Sequence, residues 1–191
     1  MVLPSAVLVP NTLLPLHIFE LQYREMLTWC LERDRFFCVS LTKPGMRETD
    51  VKNFAEVGGV GLVRACVATE DGTSNLILQG LARVKFGNLL QTEPFRIVEI
   101  REIPSECPNP VEAEALGVKV VEICGKLHEQ GRELPAALMQ TLPHITSPEM
   151  IADIVTQAFV RGPMRQQRLM EEASVSARMR LLIRYLQPEI A

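Results

Sequence analysis

"LLPLHIFELQYREML", residues 13–27, carries the clearest structural signal in this chain. An apolar run that contains Pro15 passes directly into a stretch whose apolar residues recur near helical spacing. A proline disfavours helix at the preceding residue and withholds a backbone amide, so a strand around Pro15 is expected at a sheet edge or a bend. The segment therefore predicts a corner where a strand gives way to a helix that runs from about Glu20 to Glu32.

Four side chains at this predicted corner are candidates for ligand binding or for structural support. They are His17, Glu20, Tyr23 and Arg24. A carboxylate at a helix start is stabilised by the helix dipole, and corners of this composition usually serve turns and caps. The favoured interpretation is therefore structural, a corner held by a carboxylate and a phenol, with Ile18 and Phe19 in the core. Ligand binding by His17, Glu20 and Tyr23 stays open as the less favoured interpretation.

The composition is typical of a soluble globular chain. Its 191 residues suit one large domain or two small ones, with 47% apolar, 23% charged and only 5% aromatic residues. No apolar run approaches the roughly 20 residues that span a bilayer, and the first residues do not resemble a secretory signal. No membrane partner is expected, and the expected compartment is the cytoplasm.

The five cysteines fit free thiols better than disulfides or a metal site. Their number is odd and no pair has C-x-x-C spacing, so neither a disulfide framework nor a zinc site is indicated. Cys30, Cys66 and Cys124 lie among apolar residues, which predicts buried thiols in a reducing compartment.

Motifs for phosphate, nucleotide, metal and hydrolytic chemistry are missing from the sequence. It contains no G-x-x-x-x-G-K-[ST], H-E-x-x-H or G-x-S-x-G pattern, and each of these patterns is needed for the chemistry it marks. "GGVGLVR" (58–64) places Arg64 where a dinucleotide loop needs its third glycine, so close backbone packing or a bulge in a strand is favoured. No catalytic residue, metal or cofactor is therefore predicted, although a Ser-Lys dyad has no short signature and stays open.

The chain changes character near residue 105, and residues 1–104 are predicted to be rich in β-structure. Runs with many β-branched and aromatic residues cover 35–41, 60–69, 74–80, 82–90 and 95–103. Asp71-Gly72 is a hairpin-turn signal, and the polar segment 43–53 is predicted to be a surface loop. Short strands at regular spacing predict a small barrel or sandwich.

Beyond the proline-rich segment 103–110, the apolar period becomes helical, and residues 111–191 are predicted to form a helical bundle. Gly131 fits the end of its first helix, and Ser147 and Ser174 are expected to cap two later helices. The predicted buried stripes are Leu116, Val120, Ile123 and Leu127, then Ile151, Ile154, Val155, Ala158 and Phe159, and finally Val175, Met179, Leu182 and Leu186.

The end of the chain is basic. Residues 161–191 carry six arginines and three glutamates, and Arg165, Arg168 and Arg180 are the candidate basic face. A basic surface is typical of nucleic-acid contact. The arginines alternate with apolar residues, however, so the solvated side of a helix explains them more simply.

Several segments in order along the chain resemble the Lon protease N-terminal domain family, also called the Lon substrate-binding domain family. "VLVPNTLLPLHIFELQYREML" (7–27) is similar to the first block of that family, and "EVGGVGLVRA" (56–65) and "LILQGLARVKF" (76–86) resemble later blocks. The end, "RQQRLMEEASVSARMRLLIRYL" (165–186), resembles the family's helical end. The matching positions are Leu14, Pro15, Leu16, Ile18, Phe19, Glu20, Tyr23, Leu78, Gly80 and Arg83, whereas Val9 and Gln22 depart from the pattern.

The resemblance implies an α+β fold, with a small β pseudo-barrel similar to PUA domains followed by a C-terminal α-helical bundle. It implies a non-catalytic domain that binds unfolded or partly folded polypeptides or a partner protein, as an adaptor or regulator in protein quality control. The chain is too short for the ATPase and protease domains of Lon, so a stand-alone domain is expected. An RNA-binding PUA-like module is the less favoured alternative, and the oligomeric state stays open.

Overall fold

The computed structural model describes residues 1–46, 50, 53–133 and 135–190. It divides the chain into two compact units, Met1–Ile103 and Pro104–Ala191. Strands occur in the first unit and most helices in the second, which confirms the predicted α+β class. The predicted surface loop 43–53 lies partly outside the described residues, because residues 47–49 and 51–52 are not among them.

In its described part, the first unit is built on one mixed sheet with a single helix. The strands are β1 (Val2–Leu3), β2 (Leu13–Ile18), β3 (Phe36–Leu41), β4 (Val57–Ala68), β5 (Ser74–Gln91) and β6 (Ile97–Glu102), and α1 (Leu21–Leu31) follows β2. The strand order is β1-β3-β4-β5-β2, and β6 pairs with the far half of β5. Since β6 pairs with neither β1 nor β3 among the described residues, the sheet is open rather than a closed barrel.

Strand β5 is one long strand where the sequence predicted two. Gly80 pairs with Gly61 and Ala82 pairs with Val60, so Leu81 between them has no partner on β4. Such a bulge bends a strand without ending it. The expected break at Gly80 is therefore a bend inside one continuous element.

Gly59 of β4 and Gly80 of β5 leave room for the backbone of Leu8 and Val9, and these two glycines are here called the glycine seat. A Cβ atom on Gly59 would collide with the Leu8 carbonyl oxygen, and one on Gly80 with the Val9 carbonyl oxygen. Leu8 and Val9 are buried, although neither lies in a strand. The close backbone packing expected of "GGVGLVR" is thus confirmed.

The strand-to-helix corner forms where the sequence predicted it. β2 pairs only with β5 among the described residues, so Pro15 does lie in an edge strand. Ile18 is buried, but Phe19 is 61% exposed, and the expectation that Phe19 belongs to the core is wrong. Successive residues of a strand point to opposite faces, so burying Ile18 turns Phe19 toward solvent.

The residues described in the second unit form five α-helices with short connections. They are α2 (Pro110–Glu129), α3 (Ala136–Thr141), α4 (Pro148–Phe159), α5 (Pro163–Glu171) and α6 (Val175–Leu186), with short 3-10 turns at Leu142–His144 and Gln187–Glu189. The predicted stripes of α2, α4 and α6 supply most of the buried apolar residues, with Leu116, Ile154 and Ala158 only partly buried.

The ends of these helices carry the caps that the sequence indicated. The hydroxyl oxygens of Ser147 and Ser174 accept hydrogen bonds from the amides of Met150 and Ala177, each at 3.3 Å. Gly131 has φ +90°, and the next amide, that of Arg132, donates to the Leu127 carbonyl at 3.0 Å. This arrangement closes the last turn of α2 with a left-handed glycine.

None of the helices formed by the described residues is both long enough and apolar enough to cross a bilayer.

Candidate functional site

The four residues predicted at the corner do not gather into one site. The His17 Nδ1 atom lies 2.9 Å from Asn75 Oδ1, on the exposed pairing of β2 with β5. The Tyr23 hydroxyl donates to the Val2 carbonyl at 3.0 Å and accepts from the Val2 amide at 3.2 Å. The phenol therefore fastens β1 to α1, which is a structural task.

Glu20 and Arg24 point to different neighbours. Glu20 occupies the N-cap position of α1 without a side-chain cap hydrogen bond, and its carboxylate accepts from Gln22 Nε2 at 3.0 Å. The Arg24 guanidinium lies over Gly72 in the β4–β5 hairpin, in the space that a Cβ atom there would occupy. Of the four residues, Arg24 alone reaches the groove described below.

The residues of the candidate basic face are exposed but lie among carboxylates. Arg180 forms an ion pair with Glu112. Arg165 lies over the ring of Tyr185, 5.3 Å from its centroid, and 4.0 Å from Glu189. Arg168 lines a shallow groove with Arg180, Arg184 and Tyr185, but Glu172 lines it too. The arrangement mixes both signs of charge.

One arginine of the basic end is not on the surface. Arg178 is 2% exposed, its Nη1 atom lies 2.9 Å from Asp153 Oδ1, and its Nη2 atom donates to the Ser105 hydroxyl at 2.6 Å. A buried charge is tolerated when it is paired and hydrogen-bonded. This pair joins α4 to α6, and the sequence analysis missed it.

A surface recess of the first unit lies beside α1 and is here called the α1 groove. Its volume is about 610 Å³. The walls are one side of α1, the end of β4 and the β4–β5 hairpin. Three apolar side chains of α1 are exposed there: Leu21 at 69%, Trp29 at 40% and Leu31 at 37%. Exposed apolar residues grouped in this way mark an interaction surface more often than scattered ones do.

An unpaired strand edge borders the α1 groove. β3 pairs with β4 only from Gly59 to Leu62, and the Val63 amide then donates to the Arg35 carbonyl at 2.9 Å. Beyond that point β4 continues to Ala68 with β5 as its one strand neighbour among the described residues. Cys66 and Ala68 from this stretch line the groove.

The charges at the α1 groove balance. Arg24, Glu25, Glu32 and Arg33 line it together. The Arg33 guanidinium lies 4.2 Å from the centroid of the Trp29 ring, and it donates to the Trp29 carbonyl at 2.9 Å. The groove thus offers an apolar floor with a rim of both signs, which does not select strongly for either charge.

A second recess of the first unit lies between β3 and β6, and we call it the seam cavity. Its volume is about 190 Å³. Six aromatic side chains line it: Trp29, Phe36, Phe37, Phe54, Phe86 and Phe95. Trp29 and Phe95 also line the α1 groove, with ring centroids 5.9 Å apart in an edge-to-face arrangement. This pair therefore separates the two recesses.

Burial works against reactivity at two of the cysteine thiols. Burial raises the pKa of Cys38, at the seam cavity, to about 11 and that of Cys124, in the core of the second unit, to about 12. A nucleophilic cysteine needs a lowered pKa. Among the described residues, no three His, Cys, Asp or Glu side chains are grouped as metal ligands would be.

Neither recess was identified from the sequence. The available signal was α1 itself, whose apolar residues Leu21, Leu27, Trp29 and Leu31 are too widely spread around the helix for one buried face. A helix that is apolar on more than one side has more than one apolar neighbour. The second apolar side of α1 borders the α1 groove.

Comparison with known proteins assigns a family. The sequence profile of the ATP-dependent protease La (LON) substrate-binding domain matches residues 1–188. The Lon protease of Desulfosudis oleivorans is 21% identical over 192 residues, which cover 100% of this chain and 24% of that protein. The Lon protease of Anaeromyxobacter dehalogenans is 31% identical over 132 residues, or 68% of this chain and 16% of that protein. This chain thus spans less than a quarter of the length of either relative.

Solved structures agree on the fold. The N-terminal domain of Mycobacterium avium complex Lon protease superimposes with a TM-score of 0.78 at 16% identity, covering 98% of this chain and 96% of that one. A Lon N-terminal domain protein from Xanthomonas campestris gives a TM-score of 0.69 at 17% identity. Because the family profile spans nearly the whole sequence, this chain belongs to the Lon substrate-binding domain family.

Proposed function

We propose that this protein binds unfolded or partly folded polypeptides, without catalysis, in the α1 groove. One observation carries the proposal: an unpaired stretch of β4 lies beside a groove with three exposed apolar side chains of α1. A strand edge supplies hydrogen bonds that any extended backbone satisfies, and apolar surface beside it accepts alternate side chains. Together they suit clients that share no sequence.

The bound segment would extend the sheet along β4 from Arg64 to Ala68. Its backbone pairs with the outer edge of this stretch, and every second side chain turns toward α1. The balanced charge of the rim leaves the selection to apolar side chains. In this scheme Trp29 is the central contact, because it is the one lining residue that is large, rigid and partly exposed.

The place of this binding in protein quality control is part of the same proposal. The relatives are Lon proteases, and the matched family is named for substrate binding. We propose that the protein acts as an adaptor or regulator that holds a polypeptide for a separate processing machine. Co-purification of a bound client with an ATP-dependent protease would support this role.

Titration with a permanently unfolded, tryptophan-free model protein tests the binding. Trp29 is the single tryptophan of the chain and lines both the α1 groove and the seam cavity, so its fluorescence detects binding and the variants below assign the binding to the groove. Leu21→Asp places a charge in the groove at the first residue of α1, where an acidic residue does not oppose the helix. We expect binding to weaken by at least about tenfold.

Leu90→Asp is the matched control, because Leu90 is 63% exposed on β5 and lines neither recess. This variant should bind as the unmodified protein does. Equal losses in both variants, or no fluorescence change with the unmodified protein, would contradict the proposal. A peptide with N-methylated alternate amides should also bind more weakly, since strand pairing needs those amides.

A further inference from the structure

We propose that the seam cavity binds one uncharged, ring-sized apolar molecule. This ligand is separate from the polypeptide proposed for the α1 groove, and the proposal does not depend on that function. It rests on the position of the cavity in the sheet, its size, its lining and the state of its polar groups.

The cavity occupies the gap where the sheet fails to close. Phe36, Phe37 and Cys38 of β3 form one side, and Ile97 and Val98 of β6 form the other. These strands are not paired with each other among the described residues. The gap is bridged instead by Arg96, whose guanidinium donates to Asn53 Oδ1 at 2.8 Å and to the Asp50 carbonyl at 3.3 Å.

The size of the cavity fits a single ring. Its volume is about 190 Å³, and an apolar protein cavity of about 150 Å³ stays dry and binds benzene. Protein interiors contain few voids larger than a water molecule. A void of this size in a closely packed unit therefore suits a substituted benzene or a fused two-ring molecule.

The lining is aromatic and already arranged for ring contacts. Phe54 and Phe86 meet edge to face with their centroids 5.6 Å apart, and Trp29 and Phe95 do so at 5.9 Å. Aromatic rings prefer edge-to-face or offset contacts at such distances. Trp29 and Phe36 are 40% and 43% exposed, so the lining reaches solvent and a small molecule has a way in.

The polar groups of the lining have partners within the protein, and the Met1 amino group donates to the Cys38 carbonyl at 2.8 Å. The Ser40 hydroxyl donates to the Ala55 carbonyl at 3.0 Å, and the Arg96 bonds are those given above. Among the described residues, none of the buried side-chain polar atoms without a partner belongs to the lining. The raised pKa of Cys38 reports the same low polarity. Among the described residues the lining contains no carboxylate, so a cationic ligand would lose its hydration beside the Arg96 guanidinium without gaining an acidic partner.

Methyl-labelled methionine NMR with toluene as the probe tests the proposal. The Met26 methyl group lines the cavity, whereas Met150 and Met164 are exposed on helices of the second unit. We expect saturable shifts of the Met26 signal with toluene and none at Met150 or Met164. Benzylammonium, which has the same ring with a positive charge, should give no shift. Equal shifts at all three methionines, or equal binding of benzylammonium, would overturn the proposal.

A filled cavity provides the decisive variant. Val98→Trp places an indole into the space from β6 and should weaken toluene binding by at least about tenfold. Val118→Trp makes the same change at a 62% exposed position of α2 and should have no effect. Should Val98→Trp fail to fold, the smaller change Leu89→Phe serves the same purpose. Unchanged toluene binding in the folded filling variant rules out this site.

The same NMR titration on Leu21→Asp separates the two proposals. Loss of polypeptide binding with unchanged toluene binding supports both recesses as distinct sites. Toluene binding without any polypeptide binding in the unmodified protein would remove the proposed function and leave the seam cavity. Polypeptide binding without a toluene shift at Met26 would remove the cavity ligand and leave the function.

Discussion

At the scale of single residues, Tyr23 offers a sharp test of how the corner is held. Its hydroxyl is both donor and acceptor for the Val2 backbone, so Tyr23→Phe leaves two partly buried backbone groups without their partner. We expect the free energy of unfolding to fall by about 1–2 kcal/mol. Among the described residues the Tyr185 hydroxyl has no hydrogen-bond partner. Tyr185→Phe should therefore change the free energy of unfolding by less than about 0.5 kcal/mol. Urea denaturation of both variants measures the difference, and equal shifts would contradict the assigned role.

Asp71 gives a prediction about pH at the same scale. Hydrogen bonds from the Thr69 hydroxyl at 2.7 Å and from the Thr73 amide and hydroxyl lower the pKa of Asp71 to about 2. Since the folded value lies below the ordinary 3.8, the ionised group stabilises the hairpin above pH 3.8. That contribution is lost as the pH falls toward 2.

Carboxyl-carbon NMR should find Asp71 half-protonated near pH 2, and Thr69→Val should raise its pKa toward the ordinary value. Thr141→Val removes a hydroxyl that bonds the Ala137 carbonyl in α3, and it should leave the titration unchanged. An unshifted Asp71 in the unmodified protein would show that these hydrogen bonds do not persist in solution.

Which residues could be predicted from sequence depended on how local their partners are. The hydroxyl oxygens of Ser147 and Ser174 accept hydrogen bonds from amides three residues away, and Asp71-Gly72 forms a turn from two adjacent residues. Short sequence patterns therefore identify them. Arg178 and Asp153 are 25 residues apart and meet only because α4 packs against α6. Nothing in the surrounding sequence distinguishes Arg178 from the exposed arginines near it.

At the scale of whole elements, glycines in strands and helices should respond oppositely to alanine. Gly80→Ala brings a Cβ atom onto the Val9 carbonyl oxygen, and overpacking of this kind costs about 1–3 kcal/mol. Gly125 lies inside α2 with no atom near the site of a Cβ, so Gly125→Ala should stabilise by up to about 1 kcal/mol. Thermal unfolding of both variants decides between these outcomes, and two shifts of the same sign would disagree with the packing described.

The buried stripe of α2 supports a second prediction for elements. Ile123 is 2% exposed in the helical core, so Ile123→Ala should cost about 2–5 kcal/mol. Lys119 faces solvent and pairs with Glu122 at 3.3 Å, a contact worth less than about 1 kcal/mol. Lys119→Ala should therefore change the midpoint of chemical denaturation only slightly. Small, equal changes would mean that this stripe is not core.

Element types followed well from periodicity, and element limits followed less well. Helix starts at Pro148 and Val175 were marked by serine caps, because capping chemistry is local. The single strand β5 was predicted as two, since Gly80 looks like a break until its partner strand is known. Gly80 and Ala82 pair with Gly61 and Val60 of β4, so the strand continues past Leu81. The sequence of β5 alone does not reveal this pairing.

At the scale of the whole molecule, the distribution of charge makes a prediction about nucleic acid. The net charge is −3, and Glu112, Glu172 and Glu189 lie among the exposed arginines of the second unit. Phosphate contacts are strongest at low salt. We therefore expect no RNA binding by gel shift even at low ionic strength. A shift that disappears in an Arg165, Arg168 and Arg180 triple alanine variant would contradict this and restore the alternative function.

The fold class was accessible from the sequence, and the recesses were not. The alternation of apolar residues in a strand and their helical period in a helix each reflect the packing of a single element against its own core. The change from one period to the other near residue 105 was therefore visible in the sequence. The α1 groove and the seam cavity arise where α1, β3, β4 and β6 fail to cover one another. Gaps of that kind depend on distances between elements, and a pattern within one element does not encode them.

The glycine seat beneath Leu8 and Val9 has a consequence for biosynthesis. The ribosome makes this apolar segment before it makes Gly59 and Gly80, and the seat is complete only when Gly80 has left the exit tunnel. At about 5–20 residues per second, roughly 4–14 seconds of elongation separate the two events. During that interval the nascent chain displays Val7, Leu8 and Val9 without cover. During its own synthesis this segment is therefore an exposed, unfolded apolar stretch of the kind that chaperones bind.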